Sequence, residues 1–329
     1  MIVTVTPNPS IDRTVTLPAT LVRGAVHRVS SVSSEPGGKG VNVARALTLA
    51  GLEVVAVLPA GPHDPILSAL AAQGVDFHAV PVSGPVRTNL TITENDGTTT
   101  KINEPGAVAE PADVDALALA VTDRAQSAAW VVLSGSLPPG IPDSWYSDMT
   151  GLLQARGCKV AVDTSDAPLA ALAAGLERAA PDLIKPNSEE LAGLAGVTAD
   201  SLETAVARGD AAPVVCAARR LIDRGVGAVL ATLGPAGAVL VDADGAWLAT
   251  PPPIVPRSTV GAGDSSLAGY VRADVLGADA PGRLRMAVAY GSGAAALPGS
   301  ALPSPAQINL DDVAVTSVPV PIDRAEGAL

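Results

Sequence analysis

The sequence predicts an α/β fold: a mostly parallel sheet covered by helices, with a small second β-sheet standing off it. Three observations lead there. Short apolar runs rich in β-branched residues alternate along the chain with longer segments of three-and-four apolar spacing. The short runs are apolar at nearly every position, the pattern of strands buried on both faces. Two further stretches interrupt this rhythm with period-two alternation and no helix between them. Strand–helix alternation favours parallel strands with helices as crossovers.

In chain order, IVTVT (2–6) reads as the first buried strand. Residues 11–36 hold IDRTVTL and AVHRVSSVSS, which alternate with period two. GVNVARALTLAG (40–51) has helical spacing and ends on Gly51, a C-terminal capping residue. EVVAVLP (53–59) is a second buried strand. RTNLTITENDGTTTKIN (87–103) is a hairpin, two alternating strands about Asn95-Asp96-Gly97, residues suited to a tight turn. DVDALALAVTDRAQSA (113–128) is helical, WVVLSG (130–135) and KVAVDT (159–164) are strands, and VCAARRLIDRG (215–225) is a helix closed by Gly225. GAVLATL (227–233) is a strand, and the stretch STVGAGDSSLAGY (258–270) opens a helix near Gly263. The division that follows is a large domain of residues 1–10, 37–86 and 104–315 and a small β lid of residues 11–36 and 87–103. The lid either covers a site at the strand ends or pairs with a second subunit; an ordinary edge meander is the bland alternative. From 316 to 329 the chain reads as a loose tail.

Bulk composition narrows the function. The chain has 329 residues, 48% hydrophobic and 16% charged, enough apolar sequence for a large core. Its net charge of −12 disfavours general binding to nucleic acid or an anionic membrane, so any phosphate ligand needs a local site. Three histidines, His27, His63 and His78, show no metal-ligand or triad spacing. The two cysteines, Cys158 and Cys216, are far apart and sit in apolar surroundings, where buried free thiols are expected. MIVTVTPNPS has no basic leader, so no signal peptide is expected, and without a run of about 18 uninterrupted apolar residues no membrane span is expected, which makes the cytoplasm the expected location.

Two glycine-rich loops carry chemistry. In EPGGKGVNVARAL, Gly37, Gly38 and Gly40 surround Lys39 before a helix, and bare N–H groups at a helix start attract anions. It is not a P-loop, because Ser33 and Gly40 stand where that motif needs glycine and Ser or Thr. Taken alone it reads first as a plain turn. In GAGD, Gly261, Ala262 and Gly263 precede Asp264 at a helix N-terminus. Unpaired amides there stabilise charge developing on a transferred phosphoryl group, and the acid is placed to accept a proton from an attacking hydroxyl. The bland alternative is a helix-cap carboxylate. Only four lysines occur, Lys39, Lys101, Lys159 and Lys185, and three fall in the glycine loop, the hairpin and LIKPNSEEL. A compact cation kept at those places suits phosphate.

With TPNPSIDRTV, GGKGVNVARAL, SGSLPPG, KPNSEEL, TLGPAGAV and TVGAGDSSLAG in order, the chain resembles the phosphofructokinase B group of the ribokinase-like carbohydrate kinases. The resemblance implies a ribokinase-like three-layer α/β/α sandwich with a mostly parallel central sheet plus a small β-sheet lid. It implies an ATP-dependent sugar-phosphate kinase with Mg²⁺, and K⁺ as a further expectation. Asp264 would be the base and Gly261, Ala262, Gly263 and Asp264 the anion hole. Asp12, Gly37, Gly38, Asn42 and Ser136 would face the sugar, and Lys39, Arg87 and Lys101 its phosphate. Lys185, Asn187, Thr232, Gly234, Gly237, Val288 and Ser292 would line the nucleotide, and Glu190 would hold the metal. Lysine at position 39, with Ala25-Val26-His27 in the flap, fits a fructose 1-phosphate or tagatose 6-phosphate acceptor better than fructose 6-phosphate, and the overall resemblance implies fructose 1-phosphate first, with the other two open. A catalytically silent sugar-phosphate sensor is the alternative of a different class, and a homodimer through the lid is the expected assembly.

Overall fold

In the computed structural model, which describes residues 1–319, fourteen strands and ten α-helices form two sheets and their cover. The first part of the chain runs β1 (Ile2–Val5), β2 (Ser10–Thr16), β3 (Ser31–Gly37), α1 (Lys39–Leu49), β4 (Val54–Pro59), α2 (Pro65–Ala72) and β5 (Asp76–Val80). Then come β6 (Arg87–Thr93), β7 (Thr99–Asn103), α3 (Pro111–Ala125), β8 (Trp130–Ser134), α4 (Trp145–Gln154), β9 (Lys159–Asp163) and α5 (Asp166–Ala174). The middle holds β10 (Leu183–Ile184), α6 (Ser188–Ala195), α7 (Ala199–Ala207), α8 (Ala212–Ile222) and β11 (Ala228–Thr232). Last are β12 (Ala238–Asp242), β13 (Ala246–Thr250), α9 (Ala262–Val275), α10 (Ala280–Ala295) and β14 (Ala314–Ser317).

Ten strands make the large sheet in the order β14-β13-β12-β11-β10-β9-β8-β1-β4-β5. Every pair from β11 to β5 is parallel, while β12, β13 and β14 extend the sheet antiparallel. Strand pleating divides the core in two. Val3, Val5, Val131 and Leu133 join Leu117, Tyr146, Leu172, Leu191 and Leu221 of α3, α4, α5, α6 and α8 on one face. Ile2, Trp130 and Val132 join Leu47, Leu70, Leu267 and Leu284 of α1, α2, α9 and α10 on the other. That is the three-layer sandwich, and its near-complete burial explains why the parallel strands read as unbroken apolar runs.

The four lid strands form a separate sheet in the order β3-β2-β6-β7. β2 lies antiparallel to β3 and parallel to β6, and β6 and β7 are the hairpin about Asn95–Gly97. Only from Ser31 does the 25–34 stretch pair as a strand, since residues 17–30 loop outward. At Gly37 the small sheet hands the chain from β3 to α1.

Two local expectations change. Cys158 is buried but Cys216 is exposed, because α8 turns Val214, Val215, Ala217, Ala218 and Leu221 inward and leaves position 216 facing out. Order also runs past residue 315, since β14 pairs Ala314–Ser317 with Trp247–Thr250 and gains a full ladder. The rest of the expected tail, residues 320–329, lies outside the described residues. Among the described residues no helix is long and apolar enough to cross a membrane.

Candidate active site

The carboxyl ends of neighbouring parallel strands converge at one edge of the sheet, the usual place for ligands in open α/β folds. β1 leads into Asn8, β8 into Gly135 and Ser136, β9 ends on Asp163, β10 leads into Lys185, and β11 ends on Thr232. The N-termini of α1, α6 and α9 are built from the motifs read in the sequence: Gly38-Lys39, Asn187-Ser188 and Gly261-Ala262.

α9 starts one residue before the expected Gly263. Its N-cap is Gly261, in the left-handed region at φ 76°, with no side-chain cap, and Asp264 is the third helical residue. Asp264 is therefore not a cap. Its carboxylate is buried and accepts a hydrogen bond of 2.8 Å from Asn42 Nδ2 on α1. The closeness of Lys185 Nζ, 3.3 Å from where a Cβ on Gly263 would stand, explains the small residue there. Gly40 is fixed in the same way: a Cβ would sit 2.6 Å from the Val5 carbonyl oxygen, so glycine lets α1 start against the end of β1.

Between the two motifs stands a residue the sequence reading did not single out, Asp163. It is 1% exposed and takes an ion pair from Lys39 Nζ at 2.9 Å and from Lys185 Nζ at 3.2 Å. Burial alone would raise its pKa, but Lys185 and Lys39 outweigh it and hold the carboxyl below the usual range. Asp264 goes the other way. Burial, and after it the charge of Asp163, push its pKa up to about 6 against the opposing pull of Asn42, Lys39 and Lys185. Burial works against the Lys39 ammonium, yet Asp163, Asp264 and Glu190 together shift it upward. The two neighbouring carboxylates thus shift in opposite directions between two cations, an arrangement found in acid–base sites and also in structural ion-pair networks.

On the lid side, Asp12 of β2 accepts from Ser10 Oγ at 2.7 Å and from Asn89 Nδ2 of β6 at 3.0 Å. A Cβ on Gly37 would overlap that carboxylate, so glycine is what admits Asp12 beside the loop, and Gly38 follows at φ 106°. Arg87 donates to the Glu104 carbonyl at 3.0 Å and to Ser136 Oγ at 3.3 Å. Asn8, also unread in the sequence, donates to the Pro105 carbonyl at 3.0 Å and to Ser136 Oγ at 3.4 Å. Arg87, Asn8, Ser136, Ser165 and Asp166 border a cavity of about 450 Å³. Asp166 is the one non-glycine residue at positive φ among those described, 56°, and such strain collects at functional sites. Lys39 is paired to Asp163, Arg87 faces the cavity, and Lys101 is exposed on β7 opposite Thr91, at the edge of the lid, with no ion-pair partner among the described residues.

On the far side, Asn187 and Glu190 form a capping box. Asn187 Oδ1 accepts from the Glu190 amide at 2.8 Å, and Glu190 Oε2 accepts from the Asn187 amide at 2.9 Å. Thr232 bridges to Asn187, and its amide donates to the Pro186 carbonyl at 2.9 Å. Gly234 and Gly237 both have positive φ, and a Cβ on Gly237 would strike the Ala249 carbonyl. Val288 and Ser292 lie on α10, Val288 buried and Ser292 partly exposed.

Residues 6–307 match the family described as pfkB family carbohydrate kinase. The chain is 40% identical over 312 residues to a 1-phosphofructokinase of Rhodobacter capsulatus, covering 93% of this chain and 94% of that one. It is 32% identical to phosphofructokinase-2 of Escherichia coli, solved in complex with substrates and products, with a TM-score of 0.84 over 93% of this chain and 96% of that one. The same Escherichia coli protein in complex with potassium gives 31% identity and a TM-score of 0.83, over 93% and 96% of the two chains.

Proposed function

The chain belongs to the pfkB family of carbohydrate kinases and is an ATP-dependent sugar-phosphate kinase, and from that premise we propose that it converts fructose 1-phosphate to fructose 1,6-bisphosphate with Asp264 as the base. The observation that carries the mechanism is the buried Asp264 carboxylate at the N-terminus of α9, held by Asn42 next to the Lys39–Asp163–Lys185 group. The acceptor hydroxyl gives its proton to Asp264 as its oxygen bonds to the γ-phosphorus, and the bond from that phosphorus to the β-phosphate oxygen breaks. The amides of Ala262, Gly263 and Asp264, with the positive end of α9, receive the charge on the transferred group. Lys39 and Lys185, already gathered by Asp163, supply cations without needing to be reordered. Gly261 supplies the turn that exposes those amides.

The lid (11–36 and 87–103) closes the sugar side of the large domain (1–10, 37–86 and 104–315). Asp12 binds sugar hydroxyls, with Gly37, Gly38 and Asn42 beside it, and Arg87 with Ser136 takes the existing phosphate. Lys101 belongs to that group only if the lid moves, whereas Lys39 serves the transferring phosphate. The nucleotide lies over Lys185, Asn187, Thr232, Gly234 and Gly237 toward Val288 and Ser292. Mg²⁺, when bound, would supply charge neutralisation on the nucleotide phosphates. The donor set fits such an ion: Glu190 spends one carboxylate oxygen on the capping box, and among the described residues no group of three acids, histidines or cysteines forms a closed cage. Glu190 would hold the ion with its other carboxylate oxygen. K⁺ near the Gly261–Asp264 turn is part of the same reading, supported by the potassium complex of the Escherichia coli relative. So are a cytoplasmic location and a homodimer through the lid, where Val32 and Ile102 are about half exposed.

An ATP-coupled assay with fructose 1-phosphate, fructose 6-phosphate and tagatose 6-phosphate side by side tests the acceptor. Fructose 1-phosphate is expected to give the highest kcat/KM, and a preference for either other sugar overturns the assignment. Arg87→Ala is expected to cost about 1.5 to 3 kcal/mol in kcat/KM for the sugar phosphate, the worth of a hydrogen bond to a charged group. Free fructose at high concentration should lose far less, and equal losses would reduce Arg87 to a support of the hairpin. Glu190→Gln preserves the capping box, since glutamine serves there too. It should therefore leave the fold intact and raise the Mg²⁺ concentration for half-maximal rate. A raised sugar KM with an unmoved Mg²⁺ titration would place Glu190 on the wrong ligand.

A further inference from the structure

Asn42 reaches Asp264 with its amide nitrogen, and something must keep the amide that way round. Asparagine oxygen and nitrogen have nearly the same shape, so an unheld amide can turn over. Turned over, its oxygen would face the Asp264 carboxylate and repel it. The residue that opposes this is Arg45, one helical turn further along α1. Arg45 is 7% exposed, and its Nη1 donates to Asn42 Oδ1 at 3.2 Å. A guanidinium only donates, so it accepts the amide oxygen as a neighbour and rejects the amide nitrogen. Arg45 is itself fixed from three other directions. Nη1 also donates to the Pro36 carbonyl at 3.2 Å, Nη2 to Glu35 Oε2 at 3.1 Å and Nε to Gln73 Oε1 at 2.6 Å. Gln73 Nε2 closes the ring on Glu35 Oε2 at 2.8 Å.

We propose that Arg45 is a positioning residue for phosphoryl transfer, holding the Asn42 amide so that its nitrogen binds one oxygen of Asp264 and leaves the other free to take the proton. The proposal rests on the reading of Asp264 as base. The charged groups facing Asp264 are Asp163 of β9, Lys39 of α1 and Lys185 after β10, and Arg45 acts on none of them directly. Its influence passes through Asn42, whose hydrogen bond lowers the proton affinity of Asp264.

The test is a double-mutant cycle. Arg45→Met keeps much of the stem and removes every donor. It should lower kcat by about 10- to 100-fold, the range for a lost hydrogen bond to a charged group, with the KM for ATP little changed. In an Asn42→Ala background the same change should cost less than about twofold, because the linkage is already broken. The acid limb of the pH–rate profile should move upward in Arg45→Met, and Arg45→Lys should recover part of both effects. Arg45→Lys enters the same cycle if Arg45→Met does not fold. Losses that multiply in the Asn42→Ala background, with an unmoved acid limb, would show that Arg45 only braces the structure and would overturn the proposal. A second readout needs no turnover. In the ligand-free protein the Asn42 side-chain amide signal, identified by its absence in Asn42→Ala, should follow the titration of Asp264 and lose that response in Arg45→Met. An unchanged response overturns the positioning role even if the kinase reading holds. A lost response in a chain that phosphorylates no ketohexose phosphate leaves Arg45 in place and overturns the kinase reading instead.

Discussion

Asp264→Asn lowers kcat by roughly 10² to 10⁴, the range that general-base catalysis contributes, while ATP binding changes little. The substitution keeps the size of the side chain and an oxygen for Asn42 Nδ2 to bind, so the geometry of the α9 turn survives. What goes is the place for the proton. The pH profile gives a second, independent reading. The Asp264 pKa is pushed up to about 6, first by burial and then by Asp163. Only the ionised form accepts a proton, so wild-type kcat/KM should fall with a midpoint near that value as the solution is acidified, and this limb should vanish in Asp264→Asn.

The stability effect of the same substitution has the opposite sign to the rate effect. The folded-state pKa of Asp264 lies above its ordinary value of 3.8. Folding therefore favours the protonated form, and the cost of keeping the carboxylate charged is present at pH 7 and relieved as pH falls through about 6. Asp264→Asn removes that cost, so its Tm at pH 7 to 8 should equal or exceed that of the wild type. A slow variant that is also unstable would point to a disturbed fold instead of a lost base, and wild-type turnover would remove Asp264 from the role.

A feature of this fold is legible in the sequence when its informative residues are neighbours in the chain. Gly261 to Asp264 is contiguous, so the turn, the amides and the acid could be read together, and the helix began within one residue of expectation. The lid hairpin was legible for the same reason, with both strands and their turn lying within seventeen residues. Asp163 was not. It is a single acid closing an apolar strand, and its partners Lys39 and Lys185 come from other segments of the chain. The available signal was that Lys159–Asp163 is otherwise a strand buried on both faces, where an acid needs a reason. Arg45 hides likewise within the apolar face of α1. The antiparallel edge β12–β13–β14 escaped because its strands look locally like the parallel ones. The short connections after β11 and β12 require antiparallel pairs, whereas β14 is reached only after two helices, a length that leaves its direction open.

Asp163→Ala should cost about 3 to 5 kcal/mol of stability, the penalty for removing one partner of a buried ion pair. Lys185 is 5% exposed and cannot turn to solvent, while Lys39, about one-third exposed, can recover part of its hydration. The pH dependence follows from the direction of the Asp163 shift. Its folded pKa is depressed because Lys185 and Lys39 overcome the effect of burial. The stability it provides is thus fully present above the ordinary carboxylate range and fades only as pH falls through the depressed value. At pH 7 the whole contribution is exposed to the mutation, and the midpoint of urea unfolding at constant slope measures it. Asp163→Asn keeps an acceptor for one lysine and should lose less. That variant also separates Asp163 from the chemistry. The Asp163 charge raises the Asp264 pKa, so its removal should move the acid limb of kcat/KM downward, the reverse of the shift expected for Arg45→Met. A stability loss below about 1 kcal/mol in Asp163→Ala would mean that the two lysines are hydrated in solution, as exposed ion pairs are. Catalytic cations gathered in advance around a buried carboxylate would then have to be given up.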